Sequence, residues 1–341
     1  MTILEQREHD HDRSTTEESA NERDSRRQAY HDALRTLSQA SVDQHFDAFK
    51  DVDWDDPEMA VVANDERWIL PTIDEVGAHP WYQTLSKERQ IEIGMYRWAQ
   101  IAKVGLQFEQ LLIGGVMNHL MWAENDNPEF RYATHEVTEE THHTQMFQEF
   151  TNRVCPDAVG ASPKFKRLVP LLASAGAWFP EAFFTGILAG EEPIDHLQKA
   201  TLRSGGMHPL ANRIMQIHIA EEARHIGFAH QYLEQHVPEL GPVKRRLLAM
   251  LFPVIMRALC DVIMVPCKQA REDMGIPDEV AREIWWDSAE STKLLRDLFA
   301  DVRMLADRLE IRTGPARWVW RRMGIDGRAA RFRSEPAHAA S

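Results

Sequence analysis

Residues 218–225 read HIAEEARH, two histidines and two adjacent glutamates inside two helical turns. At 3.6 residues per turn, Ile214, Met215, His218, Glu222, His225 and Phe228 or Ala229 share one face. His218, Glu222 and His225 therefore project with large apolar groups and should face inward. Glu221 and Arg224 flank that face and are expected to reach water or a neighbouring helix. Taken alone, the triad fits either a hydrogen-bonded core cluster or a set of metal ligands.

A second segment repeats the pattern. Residues 136–143 read EVTEETHH, which aligns EETHH with the EEARH of residues 221–225. Ala133, Glu136, Val137, Glu140, His143 and Phe147 fall on one face, so Glu140 and His143 correspond to Glu222 and His225. A competing phase runs through His135, Glu139 and His142, but it also carries Arg131 and Glu149 and looks solvent-directed. Glu140 and His143 are the expected ligands.

Paired Glu-x-x-His motifs on two helices, joined by a lone glutamate from each of two others, form the di-iron carboxylate site of four-helix bundles. Hard carboxylates bridge two cations, imidazoles hold each ion terminally, and open positions remain for dioxygen. The first lone glutamate is Glu109, the only acid between Glu92 and Glu124, set among Ala102, Leu106, Leu112, Ile113 and Val116. A buried carboxylate there must be paired, protonated or metal-bound. The second lies in FFTGILAGEEPIDHL (183–197), where Phe184, Ile187, Leu188, Glu191 and Ile194 make the apolar face. Glu191 is the expected ligand and Glu192 its alternative. His218 adds a third histidine, either a ligand or a donor to a ligating carboxylate. Glu136 holds the equivalent place in the other motif and is expected to support a ligand. Apolar neighbours Phe108, Leu112, Phe147, Phe184, Leu188 and Met215 are candidate pocket walls, although a stripe of this kind is also what a plain core looks like. No free cation falls on the inward face near Glu109, because Arg97 and Lys103 lie off its phase. The substrate is thus expected to be less polar than an aminobenzoate.

The rest of the chain suits this reading. Its 341 residues carry a formal net charge of −14, which argues against a nucleic-acid-binding body. Three cysteines without CxxC spacing argue against a disulfide framework or a thiolate zinc site and fit a reducing cytoplasm. No HExxH occurs, so zinc hydrolysis is not indicated. Strand signals are missing and 3.6-residue periodicity dominates. Helices are expected near 31–50, 87–122, 128–152, 163–200, 208–236, 242–268 and 278–310. The fold class is all-α, a ferritin-like four-helix bundle core with additional flanking helices. Residues 1–30, charged and mixed in sign, are expected to be a disordered arm, whose His9 and His11 are a weak metal candidate. Residues 31–311 are read as a single helical domain. Residues 312–341 are read as a basic, partly disordered tail that docks on its own domain or its dimer mate. The run 247–267 matches a membrane span in length, but Arg257, Asp261, Pro253 and Pro266 suit a buried or oligomer-facing helix better, so no transmembrane span is expected.

Glu109, Glu140-x2-His143, Glu191 and His218-x3-Glu222-x2-His225, in that order, resemble the AurF-like family, the p-aminobenzoate N-oxygenase group of ferritin-like di-iron oxygenases. The extra histidine separates that group from other ferritin-like proteins. The resemblance runs from about residue 85 to 235, and the apolar helices after it also look family-like. It implies a cytoplasmic monooxygenase, expected as a homodimer, with two iron ions cycling between Fe2+ and Fe3+. Such an enzyme activates O2 through a peroxo-bridged di-ferric species. An aromatic amine would be oxygenated through the hydroxylamine towards a nitroso or nitro product, with an external electron donor or reductase restoring the ferrous state. The residues alone also leave open a di-iron desaturase or hydroxylase of a lipid-like substrate, non-enzymatic iron handling, and a Glu/His network that merely satisfies itself.

Overall fold

The computed structural model describes the backbone of residues 3–329 and side chains from residue 21 onward. Side chains 1–20, with His9 and His11, and all of residues 330–341 lie outside the described residues, so the expected behaviour of the arm and the tail end is not addressed there. Among the described residues there is no strand. In chain order the helices are α1 (Ile3–Asp43), α2 (Glu75–Ala78), α3 (Pro80–Gln83), α4 (Lys87–Leu120), α5 (Pro128–Val154), α6 (Pro163–Trp178) and α7 (Pro180–Ser204). They continue with α8 (Pro209–His236), α9 (Pro242–Met264), α10 (Lys268–Asp273), α11 (Asp278–Arg282), α12 (Ala289–Leu298), α13 (Ala300–Arg308) and α14 (Gly314–Arg322).

The helix starts follow from local chemistry. α5 to α9 each open with proline in the first turn, where its missing N–H costs no hydrogen bond. Ser86, Asn127, Ser162 and His208 cap α4, α5, α6 and α8 by accepting first-turn backbone N–H groups. Proline also explains the main departure from the expected elements. The helix anticipated over 163–200 is two helices, because Pro180 excludes helical geometry from Phe179, which sits at φ −149° and ψ 66°. The helix anticipated over 278–310 is broken by a π turn at Glu283–Asp287 and by Ser288 and Phe299.

Helices α4, α5, α7 and α8 form the bundle, paired as α4 with α5 and α7 with α8. α6 packs on α4 and α9 on α7, as an outer layer. The α4–α6 approach needs glycine, since a Cβ on Gly176 would stand 2.0 Å from the Gly115 carbonyl oxygen. α1 joins the bundle through buried Tyr30 and Leu34, with the Tyr30 hydroxyl donating to Glu129 Oε2 at 3.0 Å. Residue 30 is therefore not the edge of the folded domain.

Nor is residue 311. Trp320 on α14 is fully buried and stacks on Phe252 of α9 with ring centroids 5.7 Å apart. Arg257 donates to the Met323 carbonyl at 3.0 Å and pairs with Asp261 at 2.8 Å. Residues 312–329 thus dock on their own domain, one of the two placements expected for this segment. By length and composition the run Pro242–Asp273 is apolar enough to cross a membrane, and 39% of its most apolar window is buried.

Candidate metal centre

Four bundle helices carry the sequence-selected residues, and all but Glu191 fall into two ligand-like groups. Glu109 comes from the middle of α4, Glu140 and His143 from α5, Glu191 from α7, and His218, Glu222 and His225 from α8. Burial is complete or nearly so for all seven, from 0% exposure at Glu140, His143 and His225 to 9% at Glu191. Two ligand-like groups emerge. Donor atoms of Glu109, His143, His218 and Glu222 lie within 4.8 Å of one another, and so do those of Glu140, Glu222 and His225.

Glu222 belongs to both. Its Oε1 is 3.5 Å from His143 Nδ1, 3.3 Å from His218 Nε2 and 3.5 Å from His225 Nδ1. Neither Glu222 oxygen makes a hydrogen bond despite this crowding. Glu140 also spans the pair, at 3.0 Å from His143 Nδ1 and 2.8 Å from His225 Nδ1. Both carboxylates thus stand between imidazoles of α5 and α8. Glu109 stands at the His218 side, 3.4 Å from its Nε2. Both Glu191 oxygens are buried without a hydrogen-bond partner.

The electrostatics call for cations. Burial first, then the neighbouring carboxylates, push Glu109 and Glu191 well above the usual range. Burial opposes the charge on Glu140 too, but His225 and other partners hold its carboxyl well below the ordinary value. Burial likewise disfavours charge on His143, yet Glu140, Glu221 and Glu222 raise it to about 10. Without a metal the cluster must therefore share protons among acids and imidazoles. Unpaired buried oxygens and convergent nitrogens are the donor set two divalent cations would satisfy.

His218 differs from the other histidines. Burial lowers it to about 4, which favours the neutral, ligating form. Its Nδ1 meets Gln198 Oε1 at 2.9 Å, so an Nδ1–H donated there leaves the Nε2 lone pair facing Glu109 and Glu222. His143 and His225 instead present Nδ1 to the centre and use Nε2 elsewhere.

That second use corrects the sequence reading. His143 Nε2 donates to Glu221 Oε2 at 2.8 Å, and His225 Nε2 donates to Glu139 Oε2 at 2.8 Å. The first glutamate of each EE pair thus anchors the histidine of the opposite motif. Glu221 reaches the neighbouring helix, one of the two placements expected for it, whereas Glu139 was expected to face solvent; both are buried, at 0% and 3% exposure. A third bundle layer hides them: Phe46 N donates to Glu221 Oε1 at 3.0 Å, and Arg224 pairs with Glu139 at 2.9 Å. The repeated EE dipeptide was the signal that could have found them. Glu136 is fully buried beside Tyr132, with burial first raising its carboxyl to about 8. Glu192 turns to His230 on α8.

A cavity of about 740 Å³ opens onto Glu109, Glu191 and His218. Phe108, Leu112, Phe147 and Met215 line it, whereas Phe184 and Leu188 do not. The latter two pack toward α8, with Phe184 stacked on Tyr232 at 3.9 Å. The cavity uses the adjacent α7 stripe of Phe183, Gly186, Ile187 and Gly190. Arg97, expected off the inward phase, lines the far end. Lys103 is turned to Gln148.

Comparison with known proteins agrees with this architecture. The family model described as p-aminobenzoate N-oxygenase AurF matches residues 27–310. The chain is 51% identical over 308 residues to uncharacterized protein Rv0885 of Mycobacterium tuberculosis (strain H37Rv), covering 90% of this chain and 91% of that protein. Uncharacterized protein Mb0909 of Mycobacterium bovis matches to the same extent, 51% over 308 residues. The chain belongs to the AurF family of oxygenases.

Proposed function

We propose that this AurF-family member is a di-iron oxygenase acting on an aromatic amine, with Glu109, Glu140, His143, Glu191, His218, Glu222 and His225 holding the two ions. The observation that carries the reading is Glu222, a buried carboxylate within 3.5 Å of three imidazole nitrogens that hydrogen-bonds to none of them. Ferrous ions bound there would supply the electrons and coordination that dioxygen activation needs.

The chain's own residues do the rest. Glu139 and Glu221 fix the ring planes of His225 and His143, and Gln198 fixes that of His218. The cavity's apolar wall keeps water from the reacting centre and holds the amine beside Glu109 and Glu191. The overall balance is one amine, one O2, two electrons and two protons to one hydroxylamine and one water. An external reductant supplies the electrons, and further rounds lead to nitroso and nitro products.

Anaerobic ferrous loading followed by oxygen and an arylamine panel, with products read by mass spectrometry, tests this. About two irons per chain and an oxygenated amine are expected. Accumulation of many irons without an organic product would replace the proposal with iron storage. A second reading, hydroxylation or desaturation of an apolar substrate, is favoured by the cavity wall and would appear in the same assay as a C-oxidised product.

A further inference from the structure

The residues lining the cavity run along most of two helices. Arg97 and Glu109 both line it and stand twelve residues apart on α4, about 18 Å of helix. On the other wall it follows α9 from Leu247 to Met264, about 25 Å. Its mouth is apolar as well: Leu171 and Trp178 of α6 and Leu247 and Val254 of α9 line it and are exposed, at 62%, 60%, 48% and 39%.

Most of the titratable groups on its wall are acids. Asp74, Glu75, Arg97, Glu109, Glu191 and His218 are the charged or titratable groups lining it among the described residues. Arg97, the only guanidinium, is fully engaged. Its Nε meets Asp74 at 3.3 Å, Nη1 meets Gln100 at 2.9 Å and Nη2 meets Glu75 at 3.5 Å. Asp74 is itself fixed, because it caps α2 by accepting from Val76 N and Gly77 N. Asp74 and Glu75 thus flank the one cation, with burial and then Asp74 raising Glu75 to about 7, and the Arg97 charge is already matched before an anion enters.

We infer that the site takes an uncharged, elongated, largely apolar amine and rejects arylamines that carry a carboxylate. The inference names the substrate class of the proposed oxygenase and rests on that reading. A carboxylate entering the channel would lose its hydration, find no free donor cation and meet Asp74 and Glu75 instead. An alkyl or aryl tail meets a wall that is mostly hydrocarbon.

The test is a matched pair, para-hexylaniline and the amine of equal length ending in a carboxylate. Binding is followed anaerobically by quenching of tryptophan fluorescence, since Trp98 and Trp178 line the cavity. The neutral member should bind at least about 30-fold more tightly. Equal affinity, or preference for the carboxylate, would overturn the inference. Glu75→Gln, which releases part of Arg97, should narrow the discrimination about tenfold; an unchanged ratio would overturn the role given to the Arg97 cluster. Because binding is read without turnover, the two proposals fail separately. Tight neutral binding with no oxygenated product after iron and oxygen leaves the inference standing and removes the N-oxygenase reading. Tighter binding and oxygenation of the carboxylate does the reverse.

Discussion

The crossed anchoring of the two motifs makes a quantitative prediction. Glu221 accepts from His143 Nε2 at 2.8 Å through one oxygen and from Phe46 N at 3.0 Å through the other, at 0% exposure. Glu221→Gln keeps the shape but has one acceptor oxygen, so one of those buried N–H donors loses its partner. A buried unsatisfied donor costs about 1–3 kcal/mol. If the loss falls on His143, its Nδ1 is no longer held toward the centre. Loosening such a partner of a ligating histidine weakens metal binding by about 10–100-fold, which is about 1.4–2.7 kcal/mol and lies in the same range. Glu139→Gln should act equally, but on His225 and the other ion, because Glu139 crosses to α8. Stepwise anaerobic ferrous titration against a chelator of known affinity measures both, with circular dichroism confirming the fold. Each variant should weaken one binding step and leave the other within about threefold. A folded Glu221→Gln protein with wild-type affinity at both steps would refute the anchoring role.

Glu222→Ala should lose stoichiometric binding of both metals, since Glu222 sits in both ligand groups, whereas His218→Ala leaves Glu140, Glu222 and His225 and should retain about one per chain; metal analysis after desalting distinguishes them. Trp320→Ala should destabilise the domain by about 3–5 kcal/mol in denaturant unfolding, because the ring is fully buried on Phe252, and a loss near zero would return α14 to a loose tail. Glu129 ties Tyr30 of α1 to the bundle; burial opposes its charge, but His119 and His236 hold its carboxyl down at about 2 against an ordinary 4.5. Its folded-state value is lowered, so its contribution, on the order of 3 kcal/mol, is present above about pH 4.5 and lost as pH falls toward 2. Glu129→Gln should therefore be less stable than the native chain at pH 6, and the gap should close on acidification; a gap constant with pH would show that the ion pair does not carry it.

The bundle itself was legible because its signals are local. Periodicity marked α4, α5, α8 and α9 to within a few residues, and prolines marked the starts of α5, α6, α8 and α9. Pro180 divides the apolar run expected as one helix over 163–200 into α6 and α7. The opposite error occurred at the termini. Trp320 and Tyr30 stand in charged surroundings whose average composition hides single deeply buried rings. What fixes them is contact with α9 and α5, and helix periodicity within each segment carries no information about such partners.

The site shows the same limit in sharper form. Face counting placed Glu140 rather than Glu139, and Glu222 rather than Glu221, toward the bundle axis, since one residue is about 100° of rotation. It then sent Glu139 to solvent and left Glu221 to water or a neighbouring helix, as suits a helix with one buried face. α5 and α8 have two: the axis on one side, and on the other the chain around α1 and Phe46 that covers Glu139, Glu221 and Arg224. Adjacent glutamates on such helices divide the labour, one facing the centre and one reaching across to hold the other motif's histidine. Two carboxylates in sequence at both motifs were therefore neither redundancy nor solvation. They form the smallest unit that both fills a ligand position and orients an imidazole. A third histidine with no such glutamate before it, His218, relies instead on Gln198 from α7. A neutral amide cannot stabilise positive charge on the ring as a carboxylate does, which accords with the lowered value of His218 and the raised values of His143 and His225. The asymmetry between the two Glu/His groups is thus written in the partners behind the histidines as much as in the histidines themselves.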